Sequence, residues 1–525
     1  MNAMSPPPAP IPLIPDNAPF SPAQRAWLNG FLAGLYGGAS VAGPCDGGAG
    51  MSVAAPPAAE PEDFPWHDPA IELSERMTLA EGRPLPQRLM AAMGQLDCGQ
   101  CGYLCHSYAT ALAEGREASA SLCVPGAKPT ARLLKQLLAE APAVAAAPMP
   151  AAGPARPVGR KLAVVSAEPL TKAGSSKDVR HVVIDLAGSG LSYEAGDSIG
   201  LAAPNDPALV EATLATLRAT GDELVPCPDG ATRPIRAAFT SLLDIARPLD
   251  RTTDLLAMCA RHPRHAEALR KLSEGIDGAE PADADLLDLL AAFPSARPGL
   301  ADLAASLPAL RPRLYSIASS PHASPGHVHL CVAVVRDTRR GRVRNGVGSG
   351  FLADRVAAFG SVDGYVQSTH FRLPADPAVP VIMVGPGTGI APFRAFLAHR
   401  AAAGTRGRTW LFFGERNQPT DFLYQTELEA WRKDGTLSRL ETAFSRDQRK
   451  KVYVQDRMLE SAPDLWRWLQ DGAHFYVCGD ATRMAKDVDT ALRRVAMTEG
   501  RMDEVQARDW IVALARQGRY LRDVY

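Results

Sequence analysis

The spacing of apolar residues along the chain changes twice, and each change predicts a different kind of structure. Short apolar runs broken by Gly and Pro, such as 161–165, predict the strands of a small antiparallel barrel. Residues 205–305 are rich in Ala and Leu and predict a helical insertion, after which strands resume at 313–316 and 328–335. From Pro380 onward, apolar strands alternate with helical stretches, which is typical of a parallel α/β sheet.

The first 158 residues follow another pattern, in which Pro, Gly and Ala separate short helical stretches. Ser21-Pro22 predicts a helix start, and so one helix at about 22–36. The predicted fold is therefore multidomain α+β, with a small helical module ahead of the barrel and a C-terminal α/β domain after it. The predicted boundaries are a Pro/Gly-rich N-terminal segment at 1–62, the module at 63–140, an Ala/Pro linker at 141–158, the barrel at 159–376 with its insertion at about 205–305, and the C-terminal domain at 377–525.

Composition and charge narrow the function only by exclusion. The chain has 46% hydrophobic and 22% charged residues and a formal net charge of −1, which gives no reason to expect a nucleic-acid partner. No run of roughly 20 apolar residues predicts a membrane span, and the first residues lack the pattern of a secretion signal, so we expect a cytoplasmic protein. Four of the nine cysteines lie between 98 and 123, which favours metal ligation over disulfides.

A glycine-rich turn in the C-terminal domain predicts a phosphate site. The strand 381–384 leads into Gly385-Pro386-Gly387-Thr388-Gly389 and then a helix, so that backbone N–H groups and the helix dipole both face an anion. Such a turn can also be purely structural. Farther along, SRDQ at 445–448 and KVYVQ at 451–455 supply two cations, a hydroxyl and an aromatic ring, which favours NADPH over NADH, although a solvated basic loop is the simpler alternative.

The cysteine cluster has the spacing of a metal site. Cys98-x2-Cys101-x3-Cys105-x17-Cys123 offers four thiolates, which suit either a tetrahedral zinc ion or a [4Fe–4S] cluster. Spacing alone cannot choose between the two, although three close cysteines and a remote fourth are commoner for clusters. His106 is an alternative ligand.

Several longer motifs from residue 160 onward resemble a single family. They look like the motifs of the diflavin reductases, in the ferredoxin–NADP reductase-like family, and in particular of the flavoprotein (alpha) subunit of bacterial NADPH-dependent sulfite reductase. The resemblance implies an FAD-binding barrel followed by an NADPH-binding domain. The motifs are RLYSIASS at 313–320, GVGSGFLADR at 346–355, VIMVGPGTGIAPFRAF at 381–396, SRDQ with KVYVQ, FYVCGDATRMAKDV at 475–488, and RDVY at 522–525.

The resemblance also implies which residues hold the FAD. Arg313 would pair with the pyrophosphate, which the GVGS residues would cradle, and the backbone at 331–333 would line the flavin. Tyr525 would cover the flavin ring until the nicotinamide displaces it. The residues implied to contact FAD are Arg313, Leu314, Tyr315, Ser316, Cys331, Val332, Ala333, Gly346, Val347, Gly348, Ser349 and Tyr525.

On the nucleotide side, the resemblance implies one set of NADPH contacts and one catalytic group. Ser316, Cys478 and Asp523 match the family's polar triad at the point of hydride transfer, where a carboxylate can stabilise the cationic nicotinamide that forms. With Tyr525 they are the predicted catalytic residues. The predicted NADPH contacts are Gly385, Gly387, Thr388, Ser445, Arg446, Lys451, Val452, Tyr453, Val454, Gln455 and Asp487.

The cysteine module resembles the small four-cysteine module of electron-transport proteins such as the Rnf complex, although its third gap has three residues, 102–104, instead of four. Residues 1–158 show no strand with a Ser/Thr-rich phosphate loop, so we expect no FMN domain there. A hydride delivers two electrons together, whereas a one-electron acceptor needs a relay after FAD. An iron–sulfur cluster can serve as that relay and zinc cannot.

These features predict an electron route from NADPH to FAD, then to a [4Fe–4S] cluster, and then to a sirohaem-containing sulfite reductase subunit that reduces sulfite to sulfide. Two alternatives stay open. The protein could be an NADPH:ferredoxin or flavodoxin reductase that serves another acceptor, such as a nitrite reductase. It could also be an FAD reductase whose N-terminal part is a zinc-stabilised docking module.

Overall fold

The computed structural model describes residues 64–525 except for 65, 68–70, 97–100, 102, 118, 141–158, 277, 280, 282 and 406. The helix predicted at about 22–36, the linker at 141–158 and Cys98 lie outside the described residues. Residues 64–525 form one compact unit, so the boundaries drawn inside it stay sequence predictions. No helix of the described part is long and apolar enough to cross a membrane.

A small helical module carries the cysteines. Its core buries Leu89, Met93, Tyr108 and Leu134. The Tyr108 hydroxyl donates a hydrogen bond to the Ser119 carbonyl at 2.5 Å and accepts one from the Leu122 N–H at 3.2 Å, which orders the segment before the last cysteine. Its helices are Leu73–Leu79 (α1), Leu85–Ala91 (α2), Cys105–Ala113 (α3) and Ala127–Glu140 (α4).

Charged side chains join this module to the rest of the unit on two sides. Glu72 pairs with Lys486 of the C-terminal domain at 2.5 Å, and Lys135 pairs with Asp250 of the helical insertion at 2.5 Å. Leu96 supplies an apolar contact with the core of the C-terminal domain.

Six antiparallel strands form the barrel, in the order β6-β3-β10-β1-β2-β7. A bridge between Ile317 and Leu330 joins the two outer strands, so the sheet closes on itself. Alternate side chains such as Val182, Ile184 and Leu330 fill the interior, as the period of two requires. The strands are Arg160–Pro169 (β1), Val179–Asp185 (β2), Ser198–Ala202 (β3), Arg313–Ser316 (β6), His327–Ala333 (β7) and Ser361–Gln367 (β10).

The helical insertion lies between β3 and β6 and has a core of its own around Phe239 and Leu256. Two short hairpins accompany it, one inside the insertion and one after β7. The helices are Pro207–Leu217 (α5), Ile235–Ser241 (α6), Asp250–Cys259 (α7), Pro263–Ser273 (α8), Leu286–Ala292 (α9) and Leu300–Ser306 (α10). The hairpin strands are Leu224–Pro226 (β4), Thr232–Pro234 (β5), Arg336–Arg339 (β8) and Arg342–Asn345 (β9), followed by the short helices Val347–Gly350 (α11) and Val356–Phe359 (α12) with a π-helical turn between them.

A five-stranded parallel sheet, in the order β13-β12-β11-β14-β15, organises the C-terminal domain. Helices cover both faces, so the central strands are wholly apolar, as in Val381–Val384 (β11). The other strands are Thr409–Glu415 (β12), Arg439–Phe444 (β13), His474–Gly479 (β14) and Tyr520–Val524 (β15). The helices are Ala391–Ala402 (α13), Gln418–Asp421 (α14), Gln425–Asp434 (α15), Val454–Glu460 (α16), Ala462–Gln470 (α17), Met484–Glu499 (α18) and Glu504–Arg516 (α19).

The predicted fold class is confirmed: an antiparallel barrel with a helical insertion, a parallel α/β domain and a small helical module are all present.

Candidate functional site

Strand pairing brings the predicted catalytic triad together at one edge of the parallel sheet. β15 runs parallel to β14 in a register that sets Asp523 beside Cys478. Ser316, at the end of barrel strand β6, donates its hydroxyl hydrogen to Asp523 Oδ2 at 2.6 Å, and the Cys478 thiol lies 3.7 Å from the same oxygen. The triad therefore spans the junction of the barrel and the parallel sheet.

Burial controls the protonation of this triad. Removal from water raises the pKa of the Asp523 carboxyl, and the hydrogen bonds from Ser316 and Cys478 only partly oppose that shift. Burial, together with the neighbouring Asp523 charge, raises the pKa of the Cys478 thiol well above its usual value. Cys478 therefore stays a neutral thiol, and the only anion of the triad is a carboxylate that a nearby positive charge would stabilise.

The glycine turn packs tightly against this edge. A side chain at Gly389 would place its Cβ 2.1 Å from the Cys478 carbonyl oxygen, so only glycine fits there. The Tyr525 N–H donates to the Gly479 carbonyl, and its hydroxyl lies 3.0 Å from the Thr388 hydroxyl. The predicted phosphate turn, the triad and Tyr525 thus lie next to one another, and Tyr525 as a residue is 46% exposed.

A second glycine loop, the one predicted to cradle the FAD pyrophosphate, lies against barrel strand β6. A Cβ at Gly348 would lie 2.5 Å from the Tyr315 hydroxyl and 3.0 Å from Arg313 Cγ, so the loop backbone approaches that strand closely. Ser349 accepts a hydrogen bond from the Val335 N–H at 3.1 Å, which fixes the loop. Arg313 pairs with Asp244 at 3.2 Å and keeps 31% of its side chain exposed, so its guanidinium can reach an anion.

The residues predicted to bind the nucleotide phosphate lie between the C-terminal end of β13 and the start of α16. The Gln455 amide donates to Asp487 Oδ2 at 3.2 Å, which joins two of them. Arg446 and Lys451 are exposed and have no ion pair in the part of the chain that the structure describes, and Tyr453 is 44% exposed. These groups can therefore meet a ligand from solvent. Asp447 faces elsewhere and accepts hydrogen bonds from Asn417 and Gln418.

The three described cysteines of the module line one small cavity, together with Gly94 and Tyr108. Burial raises the pKa of the Cys123 thiol, and the backbone N–H groups of Gly94 and Gly126 partly oppose that shift. Backbone N–H groups close to a sulfur favour its thiolate form, which is the form that binds a metal. Within 64–96 and the other described ranges, no three His, Cys, Asp or Glu side chains converge closely enough to hold a metal ion, and Cys98 lies outside those ranges. His106, the alternative ligand, lies against the Phe64 ring.

A polar cluster that the sequence did not reveal lies behind Cys331. The Tyr424 hydroxyl lies 2.9 Å from His181 Nδ1, and Tyr424 packs in the same buried cluster as Cys331. Arg394 lies over the Tyr424 ring at 4.8 Å. No sequence signal points to this group, because its members come from distant strands and helices of two domains.

A second unforeseen pair lies beside the phosphate turn. Glu415, only 1% exposed, pairs with Lys177 of the barrel at 2.5 Å. A Cβ at Gly387 would lie 3.4 Å from Glu415 and 3.9 Å from Lys177, so the pair borders the turn.

Three family models match successive parts of the chain. The model described as "Putative Fe-S cluster" matches residues 94–125, "FAD binding domain" matches 160–351, and "Oxidoreductase NAD-binding domain" matches 383–490. Together with the geometry above, they define an oxidoreductase that binds FAD and a nicotinamide nucleotide and carries an iron–sulfur type of module. The prediction of this enzyme class is confirmed.

Among individual proteins, the chain is similar to the sulfite reductase [NADPH] flavoprotein alpha-component. The Mannheimia succiniciproducens protein is 43% identical over 366 residues, which cover 69% of this chain and 60% of that relative. The Yersinia pestis protein is 42% identical over 369 residues, which cover 68% of this chain and 58% of the relative. The chain therefore spans about 60% of the length of these curated relatives. The resemblance drawn from the sequence motifs is confirmed.

Replacing Asp523 by Asn tests the charge of the triad. Burial raises the pKa of this carboxyl in the folded protein. The protonated carboxyl therefore contributes most to the free energy of unfolding below the unfolded pKa of about 3.9, and this contribution is lost as pH rises through the higher folded pKa. Asp523→Asn removes the loss, so we expect an equal or higher free energy of unfolding at neutral pH, measured by urea denaturation. Flavin reduction by the nicotinamide nucleotide, measured by stopped-flow absorption, is expected to slow on the order of 10²-fold.

The matched control is Asp471→Asn, which removes an exposed carboxylate paired with Arg408 on the same domain. It should change neither quantity. An Asp523→Asn enzyme that reduces its flavin at the wild-type rate would contradict a role for this charge in hydride transfer.

Proposed function

We propose that this protein oxidises NADPH, reduces its FAD, and passes electrons one at a time through a [4Fe–4S] cluster to a sirohaem-containing sulfite reductase subunit. The observation that carries the proposal is the 2.6 Å hydrogen bond from Ser316 to Asp523. It joins the strand end of the FAD-binding barrel to the strand end of the nucleotide-binding sheet. A flavin ring and a nicotinamide ring can meet only at such a junction.

The protein residues would hold and orient the two cofactors. Arg313 and the loop of Gly346–Ser349 would bind the FAD pyrophosphate, while Tyr315 and residues 331–333 would line the flavin. Tyr525 would stack on the flavin ring, and the triad would compensate charge at the nicotinamide. When bound, FAD takes up a hydride and releases single electrons, and an iron–sulfur cluster carries them one at a time.

The choice of NADPH over NADH rests on the exposed cations at the end of β13. Arg446 and Lys451 offer charge-assisted hydrogen bonds to a ribose phosphate, and the exposed Tyr453 ring offers a plane for adenine. Beside them lie Ser445, Val452, Gln455 and Asp487. The Val454 side chain is buried in the core of the domain, so this residue would contribute only its backbone.

The choice of a [4Fe–4S] cluster rests on the four thiolates of Cys98, Cys101, Cys105 and Cys123. The shared cavity, and the backbone N–H groups of Gly94 and Gly126 that lower the pKa of the Cys123 thiol against the effect of burial, support ligation by sulfur. The redox role supports iron–sulfur over zinc, because a one-electron acceptor needs a carrier that changes oxidation state.

The acceptor follows from the names of the similar proteins, which are flavoprotein components of sulfite reductase. We infer that the partner is the haemoprotein of that enzyme, that sulfide is the product, and that the reaction takes place in the cytoplasm. The experiment is to mix the purified protein with a purified sirohaem sulfite reductase haemoprotein and NADPH, and to measure sulfide. We expect sulfide to form only when all three are present. Reduction of ferredoxin, flavodoxin or nitrite reductase without sulfide formation would contradict the sulfite assignment.

Arg446→Ala tests the nucleotide preference. Loss of a charge-assisted hydrogen bond costs about 1.5–3 kcal/mol, so kcat/KM for NADPH is expected to fall about 10- to 150-fold while that for NADH changes little. Lys433→Ala, at an exposed position on α15, serves as the control. Equal losses for the two nucleotides would contradict a role of Arg446 at the phosphate.

Cys101→Ser tests the relay. In an anaerobic NADPH titration followed by absorption and electron paramagnetic resonance, we expect flavin reduction to survive and the cluster signal to disappear. Iron and sulfide analysis of the same samples distinguishes a cluster from zinc. Cys259→Ser, which removes a free thiol on α7 outside the module, should leave both signals unchanged. A wild-type protein that contains zinc and no iron would contradict the relay.

A further inference from the structure

The cysteine module keeps one charged side chain in its interior. Arg76, on α1, is only 8% exposed, and it is the only Arg, Lys, Asp, Glu or His that is buried among the described residues of 64–140. Burying a charge is costly unless polar groups of the protein replace its water. The contacts of Arg76 therefore show which part of the module this charge serves.

The guanidinium of Arg76 reaches the turn that lines the cysteine cavity. Its Nη1 donates a hydrogen bond to the Met93 carbonyl. Met93 and Gly94 line the same cavity as the three described cysteines. A Cβ at Gly94 would lie 3.6 Å from Cys123 Sγ, so the backbone of this turn directly adjoins one of the predicted ligands. One residue of backbone thus separates the Arg76 contact from the Cys123 sulfur.

Gln95 holds the same turn from the other side. Its backbone has a φ of +58°, in the left-handed region that residues other than glycine seldom adopt. Its side-chain amide donates to the Met90 carbonyl and, at 3.1 Å, to the Met93 carbonyl, while its oxygen lies 2.9 Å from His67 Nδ1. These hydrogen bonds fix the Met93 carbonyl, and with it the place where the guanidinium lies.

The acidic residues of α1 are engaged by cations of another domain. Glu72 pairs with Lys486 at 2.5 Å, and Glu75 pairs with Arg508 at 3.1 Å. The charge of Arg76 acts toward the cavity instead: burial raises the pKa of the Cys123 thiol, and the positive charge of Arg76 is among the influences that oppose this rise. The guanidinium therefore favours negative charge on the cysteine side of the turn.

The proposed function, on which this inference rests, gives such a charge a redox consequence. In the proposed relay, one electron passes from the reduced flavin to the cluster and then on to the acceptor, and no bond forms or breaks at the cluster. Each reduction adds one negative charge to a group that four thiolates already make electron-rich. Net charge is one of the factors that set the reduction potential of an iron–sulfur cluster, and a buried charge acts with little screening by water.

We propose that Arg76 raises the reduction potential of the cluster held by Cys98, Cys101, Cys105 and Cys123, and so favours electron transfer from the flavin to the cluster. Arg76 acts through its charge, and the Met93 carbonyl holds that charge beside the cavity.

The test compares Arg76→Gln with Arg76→Lys in the full-length, FAD-loaded protein, purified without oxygen. Glutamine keeps a neutral N–H donor for the Met93 carbonyl, whereas lysine keeps both a donor and the charge. A redox titration followed by electron paramagnetic resonance gives the potential of the cluster. For Arg76→Gln we expect the ratio of reduced to oxidised cluster at a fixed potential to fall about 10-fold or more, which is a downward shift of about 59 mV for one electron. Arg76→Lys should stay close to the wild type.

Two controls separate the charge from general damage. The flavin potential, read from the absorption of the same samples, should not change, because Arg76 belongs to the cysteine module. Arg83→Gln removes an exposed cation of the same module, whose guanidinium lies over the Trp66 ring at 5.8 Å, and it should leave both potentials at their wild-type values.

Iron and sulfide analysis completes the design. Loss of iron from Arg76→Gln alone would support a need for the charge. A wild-type cluster potential in Arg76→Gln, an equal shift in Arg76→Gln and Arg76→Lys, or equal loss of iron from both would overturn the inference and leave the proposed function standing. A wild-type protein without iron would contradict the proposed function itself, and the inference with it.

Discussion

The parallel pairing of β15 with β14 is the constraint on which the rest of the site depends. It sets Asp523 beside Cys478 at the edge of the sheet, within reach of Ser316 from the barrel. The same strand ends leave no space above the Cys478 carbonyl, which is why the phosphate turn has glycine at 389. A shift of β15 by one residue would turn Asp523 to the opposite face of the sheet and separate the acid from both of its partners.

The site divides into a dry half and a wet half, and each half uses charge differently. In the dry half, Asp523 and Cys478 are buried, so a single charge acts at short range with little screening. In the wet half, Arg446, Lys451 and Tyr453 are exposed to solvent. The two cations can attract a multiply charged ligand there, and because water and salt screen the attraction, the ligand can also dissociate at low cost. Under the proposed function, a nucleotide that binds and leaves in every turnover would use the wet half for exchange and the dry half for hydride transfer.

The sequence predicted those parts of the site that depend on local pattern. The apolar strand followed by glycines predicted the glycine turn after β11, and the alternation of strands and helices predicted the parallel sheet. The motif resemblance brought together Ser316, Cys478 and Asp523, which no spacing would have joined. Contacts between side chains on separate elements could not be foreseen: His181 and Tyr424 are 243 positions apart, one in a strand and the other just before a helix. The Lys177–Glu415 pair could not be predicted either, because the two residues are far apart in the sequence and a single charged residue forms no periodic pattern.

Part of the contact between the cysteine module and the neighbouring domains depends on the ionic strength. Its contacts with the neighbouring domains include the accessible pairs Glu72–Lys486 and Lys135–Asp250. Pairs of this kind contribute about 0–1 kcal/mol each and are screened over about 8 Å at physiological ionic strength. These pairs therefore contribute little to holding the module and weaken further as the ionic strength rises, whereas the apolar contact of Leu96 with the C-terminal core is not screened by salt.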